Sequence, residues 1–193
     1  MNLKSEFDFE LSNDTILSKL AISKGMKTWL ELIKFVSSLP YGRNKNRYDL
    51  SLVLKEGKGT CSSKHTFLKA VANEKNQNKV KLILGLYRMN NLNTPRIGNE
   101  LIKHSLNYIP EAHCYLKIGE ERLDITTSDS NFSKIEKSLI EEIEIEPNQV
   151  SEYKVEYHKK FIKEWIIENK IKYNFNEVWV IRENCIKNIE NSN

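Results

Sequence analysis

Residues 111–126 read Glu-Ala-His-Cys-Tyr-Leu-Lys-Ile-Gly-Glu-Glu-Arg-Leu-Asp-Ile-Thr, and this stretch decides the fold. Polar and apolar side chains alternate over 112–118, Gly119-Glu120 interrupts, and the alternation resumes over 121–126. Two such runs joined by a glycine-bearing turn predict an antiparallel hairpin. Parity then assigns the faces. With Gly119-Glu120 as the loop, Ile118 pairs with Glu121, Tyr115 faces Asp124, and His113 faces Thr126. This register gathers Cys114, Leu116, Ile118, Leu123 and Ile125 on the face that a one-sided sheet buries, whereas an odd loop mixes the faces. His113 and Asp124 then become diagonal neighbours on the other face, so apolar patterning alone brings a carboxylate within reach of an imidazole.

Upstream, Gly57-Lys58-Gly59-Thr60 forms a turn into a helix predicted over 61–74, with Phe67, Leu68, Val71 and Ala72 on its apolar face and Thr60 or a neighbour as N-cap. Cys61 falls in the first turn of that helix. Residues 79–87 read as a buried strand, 90–98 as a loop around Pro95, and 100–105 as a short helix. At the N-terminal end an alternating stretch over 7–11 precedes cap signals at Ser12-Asn13-Asp14 and at Thr28-x-x-Glu31. Two helices follow these caps, carrying Ile16, Leu17, Leu20 and Ala21, then Trp29, Leu32, Ile33 and Val36. Residues 41–48 are polar and turn-like. Residues 141–146 fit a strand or a helix end, while 152–169 and 178–189 are amphipathic helices. The expectation is one α+β domain over 1–193, with a motif core at about 57–126 and helical additions at 12–39 and 150–190.

The 193 residues carry 30 Lys+Arg against 26 Asp+Glu, a net charge of +4 with both signs interspersed. That is too mild for a nucleic-acid surface, and no basic stripe with interleaved aromatics occurs. No run approaches the ~18 apolar residues of a membrane span, and Lys4, Glu6, Asp8 and Glu10 break any secretory apolar core. Cys61, Cys114 and Cys185 are odd in number, widely spaced and without a CxxC pair, so they read as free thiols in a reducing compartment. Soluble and cytoplasmic is the expectation, with no nucleic-acid or membrane partner.

Three positions combine reactive chemistry with a definite local geometry. A helix N-terminus and an adjacent imidazolium both stabilise a thiolate, and Cys61 has the first and, if His113 lies near, the second. The first-turn N–H groups around Cys61 point outward as part of an oxyanion hole. Asp124 would orient His113 as third member of a Cys-His-Asp triad. Gly59-Thr60-Cys61 opening a helix, His113 in one strand, and Asp124-Ile125-Thr126 in the next resemble the transglutaminase-like superfamily. There a Gly-x-Cys turn starts the central helix, a His opens one strand, and an Asp lies on the next, often with Thr two positions on.

The resemblance implies a papain-like α+β fold, with the cysteine helix packed on an antiparallel sheet bearing the His and Asp. It also implies Cys61 as nucleophile, His113 as general base and acid, and Asp124 as orienter, acting on an amide or thioester in a peptide, protein or small molecule, without cofactor or metal. Thr60, Tyr41, Asn44 and Tyr115 are the candidates for oxyanion or substrate contacts. The chain differs from the common family pattern in having Cys114 rather than Trp after the histidine.

Two other readings use the same residues. An inactive scaffold could bind a protein partner through the Arg43–Arg47 loop and the amphipathic tail. Zinc could take Cys61, His65, His113 and Cys114, but adjacent strand residues point to opposite faces. His65, one helical turn after Cys61, either touches the site or faces solvent with Lys64 and Lys69, the second being the expectation; His104 and His158 are expected on the surface, and Cys114 and Cys185 as core thiols. The alternative for Asp124 is to cap or to pair with Arg122, a neighbour in the same strand.

Overall fold

A computed structural model describes residues 7–192. Lys4 and Glu6, two of the charges that argue against a secretory segment, lie outside the described residues. The helices are α1 (Ile16–Ser23), α2 (Trp29–Ser38), α3 (Leu52–Lys55), α4 (Cys61–Glu74), α5 (Glu100–Lys103), α6 (Ser133–Glu136), α7 (Glu152–Glu168) and α8 (Phe175–Asn191). The strands are β1 (Val80–Met89), β2 (Ile109–Ile118), β3 (Glu121–Leu123) and β4 (Leu139–Ile145). They form one antiparallel sheet in the order β3-β2-β1-β4. The α+β class is therefore as expected. No described helix is long and apolar enough to cross a membrane.

The hairpin has the register that parity selects: Ile118 pairs with Glu121, Lys117 with Arg122, and Leu116 with Leu123. Gly119 takes the positive φ of 60° that the tight turn requires. Strand parity then separates two apolar clusters. Leu82, Leu84, Leu86, Ala112, Cys114 and Leu116 join α1, α2 and α4 on one face. Ile83, Tyr87, Met89, Ile109 and Tyr115 join Val178, Ile181 and Cys185 of α8 on the other. α7 serves both, with Tyr157 and Phe161 against the first cluster and Ile162 and Trp165 in the second.

Local sequence explains most element ends. Thr28 and Glu31 form the expected capping box on α2, and Thr60 with Ser63 forms another on α4. α1 departs from expectation. Its N-cap is Thr15, whose side chain makes no capping bond, rather than Ser12, Asn13 or Asp14. The Glu74 carboxylate at the end of α4 instead accepts from the Leu17 and Ser18 N–H groups and both neighbouring hydroxyls. A carboxylate there also faces the positive end of the α1 dipole. Ile16 is 82% exposed and not part of the core stripe. The ambiguous segment 141–146 is strand β4, at the sheet edge, where its run of acidic side chains stays partly exposed.

Larger corrections concern buried polar residues. Lys64, His65, Lys69 and His158 are buried rather than solvent-facing, and His104 is half-buried against Tyr173. Each buried group is hydrogen-bonded, as burial requires. Lys69 Nζ donates to Val80 O at 2.7 Å, and His158 Nε2 to Pro110 O at 2.8 Å. Cys114 and Cys185 are fully buried, as the stripes imply.

Gly85 is set by packing. It pairs with His113 on one side and Glu142 on the other, and the Tyr115 ring crosses it to donate a 2.6 Å hydrogen bond to Glu142 Oε1. A Cβ at position 85 would lie 2.7 Å from Tyr115 Cε1. Gly85→Ala therefore displaces Tyr115 and should destabilise the fold by about 1–3 kcal/mol. Urea unfolding of the variant checks this, and an unchanged midpoint would show that the ring is not confined.

Candidate active site

The candidate nucleophile is delivered by the turn before α4. Gly59 N–H donates to Pro40 O and Gly42 N–H to Gly59 O, which ties the segment after α2 to the start of α4. A side chain at Gly59 would meet Ser63 Oγ and Lys64 Cγ at 2.8 Å, so only glycine fits under this first turn. The Thr60–Ser63 capping box uses the N–H groups of Thr60 and Ser63. The Cys61 and Ser62 N–H groups, in the first turn, have no intrahelical acceptor.

His113 and Asp124 meet the cysteine at an edge of the sheet. β3 pairs with β2 only from Leu116 to Ile118, and the chain leaves the ladder after Leu123. Beyond that point Asp124 Oδ2 lies 2.8 Å from His113 Nε2. The Cys61 sulfur lies near enough to the His113 ring for each to shift the other's protonation, and both line the smaller of two clefts. Asp124 is fixed through its second oxygen, which accepts from the Thr126 hydroxyl at 2.6 Å and the Thr126 N–H at 3.0 Å. Arg122, the rival for Asp124, is taken by Glu142.

Two residues of α4 lock this edge to the helix. His65 sits between Cys61 O, 2.7 Å from Nδ1, and the Ile125 N–H, which donates to Nε2 at 2.9 Å. That pairing requires the neutral ring with its proton on Nδ1. Burial pulls its pKa down to about 4, against the pull of Asp124. Lys64 Nζ donates to Leu39 O and to Thr126 O, joining the same strand end to the segment after α2. With both His65 nitrogens engaged and Cys114 facing the core, the four-ligand zinc set is not assembled. Among the described residues, no group of three His, Cys, Asp or Glu side chains is placed to hold a metal.

The electrostatics favour a thiolate–imidazolium pair. Burial raises the Cys61 pKa, but the Lys154 ammonium, the His113 ring and the Cys114 N–H more than offset it, bringing the thiol down to about 6. Burial opposes charge on His113, but Asp124 and the Cys61 sulfur raise its pKa well above the ordinary imidazole value. Asp124 is held far below the usual carboxylate range, with the His113 charge and hydrogen bond overcoming its burial.

Lys154, on α7, is absent from the sequence-based candidates. It is 9% exposed and its Nζ donates to Ser62 Oγ at 2.5 Å; that hydroxyl lies 3.9 Å from Cys61 Sγ. A signal for it exists in the sequence: stepping back from Trp165 and Ile162 by helical intervals reaches His158 and Lys154 on the same stripe. Nearby, Arg182 of α8 forms a bidentate ion pair with buried Glu111 of β2 and pulls its pKa down to about 2, despite burial.

Cys61 stands between two clefts that share Tyr41, Glu111 and Ile186 as lining residues. One, of about 400 Å³, runs from Cys61 toward α7 and α8; the other, of about 140 Å³, contains His113 and Asp124. Tyr41 borders both beside Cys61, and burial keeps its phenol protonated as a donor. The other contact candidates have structural duties. Thr60 Oγ1 serves the helix cap. Asn44 Nδ2 lies within hydrogen-bond distance of Leu52 O, Lys58 O and Glu56. Tyr115 is fully buried, bonds Glu142 and lines neither cleft. Comparison with family models, curated proteins and solved structures finds no match for the chain.

Two outcomes follow from these charges. His65 and His158 are both depressed to about 4 by burial, below the ~6.5 of an unfolded histidine. The unfolded chain therefore binds more protons between these values, so stability is present above pH ~6.5 and is lost as pH falls toward 4. At pH 5 the loss should be about 2 kcal/mol per histidine, read from denaturant unfolding; a flat profile from pH 6.5 to 5 contradicts neutral burial. Secondly, Lys154→Met should move the pH midpoint of Cys61 alkylation by iodoacetamide upward from about 6. An unmoved midpoint would remove Lys154 from thiolate stabilisation.

Proposed function

We propose that this protein is a cysteine-dependent hydrolase or acyltransferase of transglutaminase-like, papain-like fold. It acts on an amide or thioester through an acyl-enzyme. The observation that carries the reading is the grouping of Cys61, at a helix N-terminus and between two clefts, with a His113 ring whose Nε2 lies 2.8 Å from Asp124 Oδ2. Isolated Cys, His and Asp residues have no reason to align in this way, with both flanking backbone segments stapled by hydrogen bonds.

In the proposed reaction the Cys61 thiolate attacks the carbonyl carbon, forming a C–S bond while the carbonyl π pair moves to oxygen. The Cys61 N–H stabilises that oxyanion, with Tyr41 positioned as a second donor. Collapse breaks the C–N or C–S bond, and imidazolium His113 gives its proton to the departing amine or thiolate. Neutral His113 then takes a proton from water or an acceptor amine as it attacks the thioester carbonyl. The product leaves and the Cys61–His113 ion pair is restored. Asp124 keeps the ring oriented and favours its charged form throughout. The three thiols are unpaired, which fits a reducing, cytoplasmic setting.

An activated acyl donor such as 4-nitrophenyl acetate tests the reading by intact-mass and peptide mapping. Wild type should carry one acetyl group on Cys61, Cys61→Ala none, and His113→Ala should acylate at least about 10²-fold more slowly. Absence of acylation at Cys61, or equal rates with and without His113, would favour a scaffold that has lost catalysis.

A further inference from the structure

The larger cleft beside Cys61 has a charge imbalance that the triad does not use. Arg43, Arg47, Lys154 and Arg182 line it, against the carboxylates of Glu111 and Glu183. Arg182 is occupied by both carboxylates, and Arg43 shares Glu183 with it. Lys154 and Arg47 make no ion pair among the described residues. Arg47 is at the exposed rim, whereas Lys154 is 9% exposed. An ammonium has three donors, and among the described residues Lys154 gives one hydrogen bond, to the Ser62 hydroxyl. A buried cation without a carboxylate partner is costly unless an anion approaches it. In the resting protein the Cys61 thiolate is such an anion, but acylation converts it to a neutral thioester.

The smaller cleft carries no excess of cations, since Arg96, Lys134 and His113 are matched by Glu111, Asp124 and Asp129. Arg96 pairs with Asp129, and Lys134 donates to Asp129 O. Thr94, Asn93, Thr127 and Asn131 give its wall a neutral polar character. Because His113 lines this side, the group that receives its proton on departure belongs there. The acyl portion then extends the other way, past Ser62 toward Lys154.

We infer that the cleft between the Cys61 turn and helices α7 and α8 is a carboxylate-binding subsite, so that the acyl group transferred to Cys61 carries a carboxylate that Lys154 receives and Arg47 attracts from the rim. This rests on the acyl-enzyme reading above. Lys154, one buried cation whose nearby carboxylate, Glu111, is already bound by Arg182, matches a monoanion, and a phosphate dianion finds no second buried cation free of a carboxylate. The walls suit an aliphatic linker between the two ends, since Trp179, Val155 and Ile186 provide apolar surface along the cleft.

The test uses three thiophenyl esters of similar length: one with a free terminal carboxylate (a mono-thioester of adipic acid), its methyl ester, and its phosphonate analogue. Second-order rates of Cys61 acylation are read by mass spectrometry with the full chain. Wild type should prefer the carboxylate over the methyl ester by at least tenfold. That ratio should fall toward unity in Lys154→Met, weaken in Arg47→Ala, and persist in Lys154→Arg. Because both esters meet the same sulfur, the ratio is insensitive to any change in thiolate fraction. Equal wild-type rates for carboxylate and methyl ester overturn the subsite while leaving the acyl-enzyme reading standing. So does a ratio unchanged by Lys154→Met. A phosphonate preferred over the carboxylate overturns the carboxylate assignment. Failure of all three esters to acylate Cys61 overturns the underlying reading itself.

Discussion

The neutral imidazole of His65 is the connection on which the site depends. It donates from Nδ1 to the carbonyl of Cys61 and accepts at Nε2 from the N–H of Ile125, so one ring spans the helix start and the strand end beside Asp124. Lys64 repeats the connection one residue earlier, reaching Thr126 O and Leu39 O. These bonds replace the β-ladder that β3 abandons after Leu123. The carboxylate can therefore leave the sheet, turn toward His113 and still be held. Rigid support of this kind is what a preorganised catalytic group requires, because small displacements of a general base cost large factors in rate.

Around that frame the charges are arranged with unequal protonation. Two histidines lie on either side of Asp124, with ring centroids 6.3 Å apart, yet they are driven in opposite directions. His65 is enclosed by backbone groups and burial makes it neutral. His113 faces a carboxylate and a sulfur, and their negative charge keeps it cationic against its burial. The C-terminal helices complete the balance. Lys154 helps to lower the thiol pKa, and the Arg182–Glu111 pair fastens α8 to β2 beside the cleft. The tail is thus part of the site wall, rather than an appendage to the motif core.

The sequence made the hairpin legible because the side-chain period of a strand is two, and only one loop parity buries Cys114, Leu116, Ile118, Leu123 and Ile125 together. The start of α4 was legible for a different reason, since Gly59, Thr60 and Cys61 combine a turn, a cap and an N-terminus. What stayed hidden were the buried cations and imidazoles. Lys64 and His65 precede Leu68 by four and three residues and so lie on its apolar stripe, but their residue types argued for solvent. The same applies to Lys154 and His158 on α7. Apart from the Cys61 carbonyl one turn before His65, the groups that hydrogen-bond them (carbonyls, the Ile125 N–H and the Ser62 hydroxyl) come from distant segments that local patterning does not contain. The Glu74 cap on α1 and the Glu111–Arg182 pair escape sequence reading for the same reason.

The central claim is that the resting site holds a Cys61 thiolate, a charged His113 and a neutral His65. Long-range ¹H–¹⁵N NMR of the histidine side chains at pH 7.5, on wild type and Cys61→Ser, tests it most directly. The predicted spectrum has His113 protonated on both nitrogens and His65 protonated on Nδ1 alone, with the His113 charge diminished once the thiolate is removed. A neutral His113 in the wild-type protein, or a charged His65, would contradict the claim.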